Sequence, residues 1–75
     1  MESSSHELDL RGLRCPLTWA RARVHLEGVA RGVEVVLLVD DPQSARDVPH
    51  AAETCGHHVI GVEADGSAWR IQLEV

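Results

Sequence analysis

The stretch Leu8-Asp9-Leu10-Arg11-Gly12-Leu13-Arg14-Cys15-Pro16 sets the start of the fold, because it joins a strand pattern to the beginning of a helix. Apolar and polar residues alternate over residues 8–13, which predicts a β-strand. An apolar-periodic pattern over residues 17–30 predicts a helix that begins at Pro16. Proline suits the first helical position because its φ already fits a helix and its missing N–H would have no partner there.

This helix start places Cys15 at or next to the N-cap. Unpaired backbone N–H groups and the positive end of the helix dipole favour an anion at that position. A thiolate or a persulfide anion is such a group, so the pattern points to sulfur chemistry on Cys15. The alternative interpretation is a small buried hydrophobic cysteine.

Two helices follow from apolar periodicity and from the positions of proline and glycine. The buried stripe of the first is predicted to contain Trp19, Ala22, Leu26 and Val29, with Ala30 beside them. The second helix lies within residues 43–55. Pro49 indicates that its regular part starts late, with Asp47 as N-cap and Pro49 in the first turn. Gly56 is its predicted stop.

Strand patterns occupy three further segments. Residues 34–39 form a continuous β-branched and aliphatic run, typical of a central strand. Residues 58–64 and 69–75 flank the hairpin signal Asp65-Gly66. The predicted order is β-α-β-α-β-β, an α+β two-layer sandwich in which a four-stranded mixed sheet carries two helices on one face. We expect residues 1–7 to be disordered and residues 8–75 to form one domain.

Composition excludes several classes of function. The chain has 75 residues, a net charge of -5, seven arginines and no lysine. An acidic domain is a poor binder of the nucleic-acid backbone, which is neutralised by basic side chains. No apolar run approaches the ~18 residues that span a bilayer, and the N-terminus lacks a signal-peptide pattern. We therefore expect a cytoplasmic monomer that binds neither nucleic acid nor membrane.

Four blocks resemble the TusA/SirA-like sulfur-carrier family in order and spacing, namely residues 8–16, Asp40-Asp41-Pro42, Arg46-Asp47-Val48-Pro49 and Gly56-His57. The resemblance implies a β-α-β-α-β-β sandwich and a persulfide on the cysteine of a Cys-Pro-x-Pro motif. It also implies a cysteine desulfurase or rhodanese-type donor. The resemblance further implies that the sulfur is passed on towards tRNA thiolation, towards molybdenum-cofactor-related enzymes or towards sulfur oxidation. Thr18 replaces the second proline of the motif, and Val24 replaces a lysine that the family often carries.

The predicted site follows from this start of the first helix. Cys15 is the catalytic residue, and the supporting residues are Pro16, Arg14, Thr18, Arg23 and Asp47. The Thr18 hydroxyl either donates to the sulfur or, as we prefer, bonds to backbone in the first turn. Arg14 and Arg23 either offer positive charge to the sulfur or a partner, or are simply solvated. Asp47 is explained by its N-cap role, with a functional carboxylate as the alternative.

Three functions remain open. The first is a sulfur carrier that acts as a co-substrate more than as a catalyst, relaying sulfur between a donor and an acceptor protein. The second is a non-catalytic regulatory or protein-binding module. The third is a thiol-redox or metal-trafficking protein that uses Cys15 and Cys55. The spacing of Cys55, His50, His57 and His58 fits no standard zinc pattern, so we expect neither metal nor cofactor.

Overall fold

The computed structural model describes residues 6–75. Its elements are β1 (His6–Asp9), α1 (Leu17–Glu27), β2 (Glu34–Val39), α2 (Pro42–Thr54), β3 (His58–Asp65) and β4 (Ala68–Glu74). The predicted order of strands and helices is therefore confirmed. Of the predicted disordered segment, residues 1–5 lie outside the described residues, while His6 and Glu7 belong to β1.

The four strands form one mixed sheet in the order β1-β2-β4-β3. β1 is parallel to β2, whereas β4 is antiparallel to both β2 and β3. One face of the sheet carries the core, whose strand residues are Val35, Leu37, Val39, Ile71 and Leu73, all fully buried. Both helices pack on this face, which confirms the predicted two-layer sandwich.

β1 ends at Asp9, four residues before its predicted end. The Asp9 carboxylate accepts hydrogen bonds from the Arg11 backbone N–H at 3.0 Å and from the Arg11 guanidinium at 2.7 and 2.9 Å. These hydrogen bonds from Arg11 hold the pKa of Asp9 at about 2. The turn continues through Gly12, whose φ of +90° favours glycine. Leu10 stays in the core and donates its N–H to the Leu38 carbonyl at 2.8 Å.

α1 begins at Leu17, with Pro16 as its N-cap instead of its first residue. Ala22 and Leu26 are buried as predicted, and Trp19 and Val29 pack at the edge of the core. Ala30 is exposed, and the helix already ends at Glu27. Thr18 is fully buried, which the apolar pattern does not predict because it considers only hydrophobic residues.

α2 begins six residues earlier than an N-cap at Asp47 predicts, so that prediction is wrong. Asp41 is the N-cap, Pro42 stands in the first turn and Pro49 lies inside the helix. The reason is a buried stripe at four-residue spacing, formed by Ser44, Val48 and Ala52. Burying this stripe against the sheet outweighs the backbone hydrogen bond that Pro49 cannot donate.

Glycines end the second helix and turn the last hairpin as predicted. Gly56 follows α2 with φ +95°. Its N–H donates to the Glu53 carbonyl and the His57 N–H donates to the Ala52 carbonyl, each at 3.0 Å, which is the Schellman pattern. Gly66, with φ +63°, lies in the turn between β3 and β4. Within residues 6–75, neither helix is long and apolar enough to cross a membrane.

Replacing Pro49 by alanine should stabilise the protein. An interior proline costs a helix ~3 kcal/mol relative to alanine, and ~0.4–1 kcal/mol of this is offset because proline also restricts the unfolded chain. We expect Pro49→Ala to raise the free energy of unfolding by about 2–2.6 kcal/mol in urea titrations. The control is Pro42→Ala, because proline is tolerated at the start of α2. An equal gain in both variants would contradict this account of α2.

Candidate functional site

Cys15 lies in the turn that starts α1. The residue is half-buried and directly precedes Pro16, to which it is joined by a cis peptide bond. The Arg14 carbonyl accepts the N–H groups of Leu17 at 2.8 Å and Thr18 at 3.1 Å, so the first turn of the helix closes around Cys15. Cys15 is therefore next to the N-cap, at the end of α1 that favours negative charge.

The start of α2 meets the start of α1 at this thiol. Ser44 Oγ lies 3.4 Å from Cys15 Sγ, 2.9 Å from Thr18 Oγ1 and 2.9 Å from Asp41 Oδ2. The Cys15 N–H donates to Asp41 Oδ2 at 3.4 Å. Ser44 and Thr18 are fully buried, so these contacts lie beneath the thiol on its protein side.

Asp41 is the charged member of this network. The Ser44 hydroxyl that donates to its carboxylate is the main reason why the pKa of Asp41 lies below its ordinary value. Burial opposes this shift, and the Cys15 N–H adds to it. Asp41 is thus a carboxylate at neutral pH and acts only as a hydrogen-bond acceptor. Its charge opposes an anion at Cys15, whereas the two helix N-termini favour one.

The sequence pattern misses Ser44 and Asp41 as site residues because it places the regular part of the second helix after Asp47. Without regular helix at residue 44, the helical spacing that buries Ser44 in the stripe of α2 is not apparent. Asp41 followed by Pro42 is an available signal for a helix start, since an N-cap aspartate often precedes a proline in the first helical position.

A shallow groove of about 340 Å³ opens in front of Cys15, between the two helices. The residues that line it are Cys15, Pro16, Trp19, Gln43, Asp47 and Ala51. Asp47 is exposed in the second turn of α2, so its carboxylate faces the groove and does not cap the helix. The groove thus offers a thiol, an aromatic wall and one negative charge.

The other predicted residues lie around this groove at different distances. Thr18 Oγ1 contacts Ser44, so the Thr18 hydroxyl reaches a neighbour of the sulfur instead of the sulfur itself. Arg14 is exposed and lines a second hollow with Asp40 and Asp41. Arg23 lies two turns along α1, where its guanidinium pairs with Glu27 at 3.4 Å. Arg23 thus pairs within α1 and is not among the residues that line the groove.

The second cysteine is remote from the first. Cys55 is the exposed C-cap of α2, whereas Cys15 contacts Ser44 near the start of that helix, and both cysteines are free. Ser44 and Cys55 are eleven positions apart along α2, which corresponds to a rise of ~16 Å. In the part of the chain that the structure describes, no three or more His, Cys, Asp or Glu residues are grouped to hold a metal ion.

Comparison with known proteins agrees with the fold and with the sequence blocks. Residues 6–75 match the family model described as "Sulfurtransferase TusA". A protein of Archaeoglobus fulgidus named "Putative sulfur carrier protein" is 35% identical over 68 residues, which are 89% of this chain and 77% of the relative. The crystal structure of a SirA-like protein from Desulfitobacterium hafniense superposes with a TM-score of 0.76 at 26% identity, covering 92% of this chain and 95% of that one. The chain belongs to the TusA sulfurtransferase family.

Proposed function

We propose that this protein is a sulfur carrier that holds a sulfane sulfur as a persulfide on Cys15. The observation that carries the proposal is the position of Cys15, a half-buried thiol beside the N-termini of two helices and open to a groove. Membership of the TusA family and the sulfur-carrier name of the archaeal relative support the same role.

The chemistry is a transfer of one sulfur atom between thiols. The Cys15 thiolate attacks the outer sulfur of a donor persulfide, and a bond forms between Cys15 Sγ and that sulfur. The S–S bond of the donor breaks, and the donor sulfur leaves as a thiolate. An acceptor thiolate then attacks the outer sulfur on Cys15 in the same way. No electrons are gained or lost overall, so the exchange needs neither oxidant nor reductant.

The open shape of the groove supports a role for the protein as a co-substrate, as opposed to an enzyme that binds a small molecule. Small-molecule sites usually enclose most of the ligand surface. The groove in front of Cys15 is shallow and open, which leaves the sulfur accessible to the active site of another protein. The partners in this proposal are a cysteine desulfurase or rhodanese-type donor and a downstream acceptor protein. We place the relay in the cytoplasm, where thiols stay reduced.

An apolar strip on α1 supports docking to such protein partners. Leu17 is 64% exposed and Val24 is 68% exposed, values that are high for large aliphatic side chains. They line a hollow of about 360 Å³ together with Leu13, Ala20 and Arg21. Exposed apolar patches of this kind mark interaction sites. Leu17 is two residues from Cys15, so a partner that covers the strip also reaches the sulfur.

Replacing Cys15 by serine should abolish sulfur loading while the fold persists, because serine is similar in size and lacks a nucleophilic sulfur. The measurement is intact mass after incubation with a cysteine desulfurase and cysteine, where loading adds the mass of one sulfur atom. The matched control is Cys55→Ser, which should load like the unmodified protein because Cys55 lies at the far end of α2. Loading that survives in Cys15→Ser, or that needs Cys55, refutes the carrier role of Cys15.

Mild oxidation should leave both thiols free in the monomer. A disulfide requires Cα atoms within ~7 Å, and the length of α2 keeps Cys15 and Cys55 farther apart than that. The test is intact mass under non-reducing conditions, before and after treatment with a mild oxidant. A loss of two hydrogens without dimer formation would favour the thiol-redox alternative.

Replacing Leu17 by glutamate should slow loading from a protein donor by about tenfold, because it places a charge in the centre of the apolar strip. Loading by inorganic polysulfide should be unchanged, since polysulfide needs only the thiol. Ile60→Glu is the control, because Ile60 is an exposed aliphatic residue that lines a hollow on the sheet face opposite the helices. Equal slowing in both variants would place the docking surface elsewhere.

A further inference from the structure

Ser44 has one hydroxyl hydrogen and three neighbours that can accept it. These neighbours are Cys15 Sγ at 3.4 Å, Thr18 Oγ1 at 2.9 Å and Asp41 Oδ2 at 2.9 Å. Ser44 is fully buried, so water does not supply additional partners freely. A hydroxyl donates one hydrogen and accepts at its lone pairs, so the three contacts cannot all be donations from Ser44.

The charge of the neighbours decides where the hydrogen goes. When Cys15 carries its proton, Asp41 is the strongest acceptor, because hydrogen bonds to a carboxylate are stronger than those to a neutral atom. Thr18 then donates its own hydrogen to Ser44 Oγ, which accounts for both distances of 2.9 Å. When the sulfur is anionic, Sγ becomes a second charged acceptor within reach of the same hydroxyl.

We propose that Ser44 is a positioning residue for Cys15, whose single hydroxyl hydrogen turns from Asp41 to Sγ when the sulfur becomes anionic. The inference rests on the proposed function, because sulfur transfer passes through an anionic Cys15 sulfur. The hydrogen bond keeps the sulfur at the head of the groove and offsets the nearby charge of Asp41. Asp41 still accepts the Cys15 N–H in that state.

The test measures how readily Cys15 forms its anion. Alkylation of Cys15 by iodoacetamide is followed by mass spectrometry at about pH 7 and about pH 10, since a thiol is mostly ionised at the higher pH. The measured quantity is the alkylation rate at about pH 7 divided by the rate at about pH 10. Changes in the accessibility of the thiol affect both rates and cancel in this ratio. We expect Ser44→Ala to lower this ratio by about threefold, less than the full effect of one hydrogen bond to a charged atom, because the variant also loses the hydrogen bond to Asp41 that stabilises the protonated state. Cys55 in the same molecule serves as the internal reference.

Two variants separate positioning from simple loss of stability. Val48→Ala removes side-chain volume from the same buried stripe one turn along α2, and it should leave the Cys15 ratio unchanged. Ser44→Thr keeps the hydroxyl and should restore most of the ratio. An unchanged ratio in Ser44→Ala, or an equal fall in Val48→Ala, overturns the proposal.

A double-mutant cycle decides the matter even if Ser44→Thr fails to fold. Asp41→Asn removes the charged competitor for the hydroxyl hydrogen, so the ratio should rise. If the Ser44 hydroxyl donates a hydrogen bond to the anionic sulfur, the rise caused by Asp41→Asn should be at least threefold larger with Ser44 present than in the Ser44→Ala background. Equal rises mean that Asp41 acts on the sulfur by charge alone, and they overturn the proposal.

Alkylation and sulfur loading test the positioning role and the carrier role separately. The alkylation ratio depends only on the thiol, so it tests Ser44 whatever Cys15 carries. If the unmodified protein never gains sulfur from a desulfurase while the Ser44 effect is present, the carrier role fails and the positioning role stands. If sulfur is loaded and the ratio does not respond to Ser44→Ala, the positioning role fails alone.

Discussion

The hydrogen-bonded junction at Ser44 is the interaction on which the site depends. It joins the beginning of α2 to the beginning of α1 through Thr18 and Cys15, and it anchors the Asp41 carboxylate. Polar groups buried in a small core are stable only when they satisfy one another, because each unpaired group costs about 1–3 kcal/mol. The junction therefore fixes the relative position of the two helix starts, and with it the position of the thiol.

The thiol is supported on one side and open on the other. Behind it lie Ser44 and Thr18, both fully buried, and in front of it lies a shallow groove with Trp19 and Asp47 on its walls. Each helix terminus contributes roughly 0.3–1 kcal/mol in favour of an anion, a modest amount that the Asp41 charge opposes. Cys15 is therefore only modestly stabilised as an anion. This agrees with the proposed carrier role, in which the sulfur is accepted and then released, better than with a fast enzymatic nucleophile.

Much of the fold could be predicted from local patterns, and so could the family. The continuous run of residues 34–39 forms β2, one of the two inner strands of the sheet, and Ile71 and Leu73 lie on the buried face of β4. Gly56 ends α2 through a positive φ that other residues rarely adopt. The start of the second helix was wrongly predicted because a local rule about proline was outweighed by tertiary packing. Pro49 favoured a late helix start, and burial of Val48 and Ala52 overrode it.

The sequence by itself determined the order of strands and helices, the placement of Cys15 beside a helix start, and the blocks that mark the family, because these depend on neighbours along the chain. Only the tertiary structure decided what surrounds the sulfur. Ser44 and Cys15 are 29 residues apart in sequence, and their contact exists because α2 lies against α1 and the sheet through its buried stripe. A hydroxyl–sulfur contact depends on how two helices are placed relative to each other, and no periodicity within either helix encodes that placement.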